Sequence, residues 1–141
     1  MAGVCRITVE IPKKSYDIIR RRVETPEHKT SRVLSRYLFT FFTILEDGED
    51  ALYRTFTQAE ARRLATILDV AHKADELSWD EFCTFPGPRL SALVGLYAPN
   101  ETLIISKVAG LGALEILALM EYAQMLDSPD RFAQQTAKFR A

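Results

Sequence analysis

One strand-like alternation near the start of the chain constrains the fold more than any other feature. In RITVEIP, residues 6–12, the apolar side chains Ile7, Val9 and Ile11 alternate with Arg6, Thr8 and Glu10, so an extended segment here has one dry side and one wet side. Pro12 cannot donate to a β ladder and closes the segment. No obvious partner strand follows it. A lone edge strand leaves a row of unpaired N–H and C=O groups, and a symmetry-related copy of the same strand satisfies them on one side. The pattern therefore predicts a dimer whose two-stranded ribbon also covers Ile7, Val9 and Ile11.

Beyond Pro12 the apolar residues recur every three or four positions, so the fold class is mainly α. In KKSYDIIRRRVE, Tyr16, Ile19 and Val23, with Ile18 beside them, mark one face of an amphipathic helix from about Lys13 to Glu24. TPEHKTS interrupts it, because the residue before Pro26 is pushed out of the helical region, and Thr25 or Ser31 can cap the helix that follows. From Arg32 the stripe Val33, Leu34, Tyr37, Leu38, Phe41, Phe42 and Leu45 describes that second helix, and the acidic EDGED at 46–50 marks its boundary.

The remaining signals are also helical. Thr57 with Glu60, and Ser78 with Glu81, are capping boxes. The first opens a helix with Leu64, Ile67, Leu68 and Ala71 inside, and the second a short turn around Trp79, Phe82 and Phe85. PGP at 86–88 is a break. Helices are then expected over Leu90–Tyr97, over Glu101–Val108 with Asn100 as its cap, over Leu111–Leu126, and over Asp130–Arg140 behind Ser128 and Pro129. The predicted organisation is a strand-helix-helix module at residues 1–46, an acidic connector at 47–56 and an all-helical domain of four or five helices at 57–141.

Composition narrows the function. A chain of 141 residues with 48% hydrophobic content can build a packed core. No run of about 18 uncharged apolar residues and no signal-peptide pattern is present, so an intracellular, cytoplasmic protein that does not engage a membrane is expected. Charge is segregated: residues 1–40 carry nine Lys or Arg against four Asp or Glu, a net of +5, and residues 41–141 carry nine against fifteen, a net of −6. That asymmetry points to two tasks, one of which can face a polyanion. Cys5, Cys83, His28 and His72 are solitary, so neither a metal site nor a disulfide is expected. Gly110, Gly112 and Glu115 lack the third glycine of a dinucleotide loop, and the acidic stretches lack the ligand spacing of a calcium loop. No catalytic constellation is legible, and the chain reads as neither an enzyme nor a cofactor binder.

The order of one strand, a basic amphipathic helix, a short polar turn and a second apolar-striped helix, carried by RITVEIP, KKSYDIIRRRVE and KTSRVLSRYL, resembles the ribbon-helix-helix family of DNA-binding proteins over residues 5 to about 45. The resemblance implies a ribbon that enters the major groove, with Arg6, Thr8 and Glu10 toward the base edges. Arginine can bridge the two acceptors of guanine, threonine can touch a thymine methyl, and a carboxylate can accept from a cytosine amino group. It also implies that Lys29, Thr30 and Ser31 offer backbone N–H groups and hydroxyls to a phosphate at the start of the second helix. The family commonly has a glycine before that helix, where TPEHKT has a proline.

Arg20, Arg21 and Arg22 read as a hydrated helix face that adds salt-sensitive attraction. Tyr37, Phe39, Phe41 and Phe42 read as core or subunit interface. The expected protein is a homodimer, or a higher even oligomer, that binds specific double-stranded DNA as a transcriptional repressor of a bacterium, plasmid or phage. Its helical domain would extend the dimer, bind a protein or sense a ligand. The alternative is a protein-interaction module that dimerises through the ribbon and binds a partner without DNA. Either way Val9→Asp buries an unpaired charge at the two-fold contact, and sedimentation should show the dimer reduced to monomer.

Overall fold

Apolar spacing becomes helix almost everywhere it occurs. The computed structural model describes residues 8, 10–23 and 30–141, in two units, Met1–Phe42 and Thr43–Ala141. In the first unit, α1 (Lys13–Val23) starts directly behind Pro12, whose carbonyl accepts the Tyr16 N–H at 3.0 Å. The second helix, α2 (Thr30–Thr55), begins in this unit and ends in the other.

The expected ribbon strand is not borne out in the described residues. Thr8, Glu10 and Ile11 are exposed and carry no regular secondary structure, and Arg6, Ile7 and Val9 lie outside the described residues. An extended segment becomes a strand only through a ladder with a neighbour, and among the described residues none is paired with this segment.

The acidic stretch 46–50 lies inside α2 rather than ending it. Leu45, Leu52 and Phe56 continue the apolar spacing past it, and all three are buried in the second unit. Each fully buried Leu or Phe contributes roughly 1.5–3 kcal/mol, enough to outweigh the helix cost of about 1 kcal/mol for Gly48. Gly48 also has a packing role, because a Cβ there would stand 3.1 Å from that of Leu114.

The rest of the second unit comprises six helices. The Thr57 box forms as its spacing predicts: Thr57 donates its N–H to Glu60 at 2.9 Å, Glu60 donates its own to the Thr57 hydroxyl at 3.2 Å, and α3 (Gln58–Ala74) follows. Ser78 and Glu81 form the second box at the head of α4 (Trp79–Phe82). Behind Pro86 comes α5 (Gly87–Tyr97), where a Cβ on Gly87 would meet the carbonyl of Ala109 at 2.7 Å. Glu101, not Asn100, occupies the cap position of α6 (Thr102–Ala109), without a side-chain capping bond; its carboxylate takes the Arg63 guanidinium at 3.0 Å instead. The most buried helix is α7 (Ala113–Gln124), which continues as a 3₁₀ turn over Met125–Asp127.

The last helix, α8 (Pro129–Thr136), stops four residues before the expected Arg140. Its tail is drawn across the α2–α3 junction: Arg140 accepts the Gln58 N–H at 2.7 Å and donates its own to Tyr53 at 3.3 Å. Phe139 is thereby buried, its ring 4.9 Å from those of Tyr53 and Tyr122. Nearby, Thr136 donates to the Phe132 carbonyl at 2.7 Å, so the buried Tyr122 hydroxyl donates to Thr136, also at 2.7 Å.

One ion pair couples capping to packing. The Lys107 ammonium, on α6, bridges both Glu60 oxygens at 2.8 and 2.9 Å, and both side chains are largely buried. Burial pushes the Glu60 carboxyl up, but Lys107 and the Thr57 backbone and hydroxyl together outweigh it and hold the pKa below the ordinary value. A depressed folded-state pKa stabilises above the unfolded value and loses that contribution as pH falls through the folded one. Glu60→Gln should therefore lower stability at neutral pH by about 1–3 kcal/mol and flatten the acid limb of the unfolding midpoint against pH.

Candidate nucleic-acid interface

Within the first unit, α1 divides its chemistry by face. Lys14, Asp17 and Arg21 recur at three- and four-residue steps along one side, with Arg20 adjacent. Lys14, Asp17, Ile18, Arg20 and Arg21 line an open groove of about 710 Å³. Arg21 donates from Nε to the Asp17 carbonyl at 3.4 Å, which holds the guanidinium stem against its own helix.

The opposite character appears on the first half of α2. Tyr37, Leu38, Phe41, Phe42 and Ile44 are all exposed, with Tyr37 at 54% and Phe42 at 56%. Phe41 and Phe42 meet edge to face at 5.4 Å, and the Arg36 guanidinium lies 5.9 Å from the Tyr37 ring centroid. Leu38 and Phe41 lie on the same helical stripe as Leu45 and Leu52, yet Leu38 is 47% exposed while Leu45 is 4% and Leu52 1%. A contiguous exposed apolar face of this kind marks an interaction surface.

The residues expected to touch DNA fall as follows. Thr8 and Glu10 are exposed, Arg6 and Lys29 lie outside the described residues, and Thr30 and Ser31 form the start of α2. Ser31 is inside the first turn, so it does not precede the helix as a cap. Of the expected dimer core, Ile11 is 37% exposed, and Ile7 and Val9 lie outside the described residues. Along the sequence the basic character of α1 is carried by its run of three arginines. The pair that shares the groove, Lys14 and Arg21, is legible only when i and i+7 are read together.

The second unit offers polar groups already engaged in structure. His72 hydrogen-bonds the Leu77 carbonyl through Nδ1 and stacks on Trp79 at 4.6 Å, closing the α3–α4 turn. Burial, then Asp80 and Glu121, push the Cys83 thiol up, which disfavours the thiolate. Burial, then the carboxylates Glu49 and Asp50, push the Tyr53 hydroxyl up to about 12, and Gln135 hydrogen-bonds it. Among the described residues there is no cluster of His, Cys, Asp and Glu that could hold a metal ion, and no helix long and apolar enough to cross a membrane.

No family model matches the chain, and neither a curated protein nor a solved structure matches it. The exposed α2 stripe has its own test. If the stripe is a subunit contact, Leu38→Lys with Phe41→Lys should lower the sedimenting mass relative to the parent and leave thermal unfolding of the second unit unchanged, because neither residue belongs to that core. An unchanged mass would remove this face as a subunit contact.

Proposed function

We propose that the chain is a homodimeric, sequence-specific DNA-binding protein of the ribbon-helix-helix type, acting as a transcriptional repressor. The observation that carries this reading is the exposed apolar face of the first unit, running from Tyr37 to Phe42 on α2 with Ile11 and Tyr16 also exposed. A small strand-helix-helix unit has too little apolar depth to bury such a face alone, and a second copy supplies the missing cover. The same unit carries the basic third of the sequence, whose charge favours a polyanion.

In this reading the dimer presents a two-stranded ribbon with Arg6, Thr8 and Glu10 outward, and Lys29, Thr30 and Ser31 bring the start of α2 to a phosphate on either side. The second unit has no part in base reading and acts as a partner or effector domain. A second reading, a dimeric protein-interaction module that does not touch DNA, is favoured by Leu96, 80% exposed on α5, and Leu103, 62% exposed on α6.

Titration of labelled duplex DNA at several salt concentrations separates the two readings. A steep loss of affinity with salt supports the repressor, and no binding at low salt supports the interaction module. Arg6→Ala and Thr8→Ala should keep the dimer and each cost roughly 1–3 kcal/mol on a selected sequence while leaving binding to unrelated duplex nearly intact. Equal affinity of parent and variants for the selected sequence would remove the ribbon as the reader.

A further inference from the structure

We infer that α1 is a second contact with DNA, a strip that grips the sugar-phosphate backbone through Lys14 and Arg21. The inference rests on the DNA-binding reading above and assigns a separate job within it: the ribbon reads sequence, and α1 sets the strength and salt dependence of the grip.

Three observations converge on this helix. Lys14 and Arg21 are seven residues apart, two helical turns, so both stand on one face separated by about 10.5 Å along the axis. Over that length a duplex carries about six phosphate charges, enough for both cations to find one. The two also line a concave surface, with Arg20 beside them, and a cleft lined mainly by one sign of charge concentrates field at its mouth. Both side chains are exposed, so their charge is available without unfolding the helix.

Asp17 is the informative exception. Its carboxylate stands between Lys14 and Arg21 in the same groove, where it moderates the attraction. A helix face with only a solubilising role would be indifferent to that carboxylate. A face that meets phosphates would be weakened by it.

The test uses the full-length dimer and a labelled duplex of mixed sequence, beside one selected for tight binding. The double variant Lys14→Gln, Arg21→Gln removes two cations from each protomer and should lower the slope of log affinity against log salt by about 3.6 for the dimer, or about 0.9 for each phosphate that the protein no longer neutralises. It should weaken binding to both duplexes by the same factor. Asp17→Asn should tighten binding to both. Retention of the parental slope by the double variant would overturn the assignment while leaving the DNA-binding reading in place. Failure of the parent itself to bind duplex at low salt would overturn that reading, and the α1 contact with it.

Discussion

The apolar stripe of α2 is longer than the core that covers it, and much else depends on that mismatch. From Leu45 through Leu52 to Phe56 the stripe is sealed into the second unit, where it helps anchor the α2–α3 junction. From Leu38 to Phe41 the same spacing continues onto exposed surface. Hydrophobic burial is proportional to the area removed from water, so an exposed stretch beside a sealed one is a persistent driving force for association. A chain that keeps several large apolar side chains in this position does so at a cost in solubility that a constant partner would remove.

Charge is distributed to complement that division. The apolar face belongs to the same unit as the basic residues of α1, while the carboxylates gather in the second half of α2 and beyond. In the second unit, charged groups serve the fold. Glu60 caps α3 and simultaneously holds Lys107 of α6, so one carboxylate satisfies the Thr57 backbone donor at one helix end and ties down another helix. Lys14 and Arg21 are exposed on α1, where Arg21 also bonds the Asp17 carbonyl of its own helix.

The second unit is closed by its own tail. Phe139 fills a space against Tyr53 and Tyr122, and the backbone of Arg140 bridges Tyr53 and Gln58, so the last residues hold together the end of α2 and the start of α3. Ending α8 at Thr136 places Phe139 there; a helix continued to Arg140 would carry the ring past the site. The Tyr122–Thr136–Phe132 chain of hydrogen bonds ties the last turn of α8 to α7.

Local chemistry was legible in the sequence wherever a few neighbouring residues decide the structure. Both capping boxes, the start of α8 at Pro129 and the inner face of α3 follow from side chains within one turn of each other, whereas the expected break over PGP at 86–88 is confined to Pro86, because Gly87 and Pro88 already form the first turn of α5. The acidic EDGED misled because its polarity describes only the outer face of α2, whereas its inner face is decided by Leu114 and the rest of a core assembled from distant segments. The tail misled for the same reason: helical propensity over Asp130–Arg140 was outweighed by the burial of Phe139 against residues about 80 positions away in sequence. The strand pattern at residues 6–12 states which side chains share a face, but a ladder needs a neighbour that local spacing cannot name. By itself the sequence determined the helical periods, the two capping boxes at Thr57 and Ser78 and the segregation of charge, whereas the cap of α6 fell to Glu101 rather than Asn100. Only the tertiary structure decided where the α2 stripe stops being covered, because burial depends on what packs against a face.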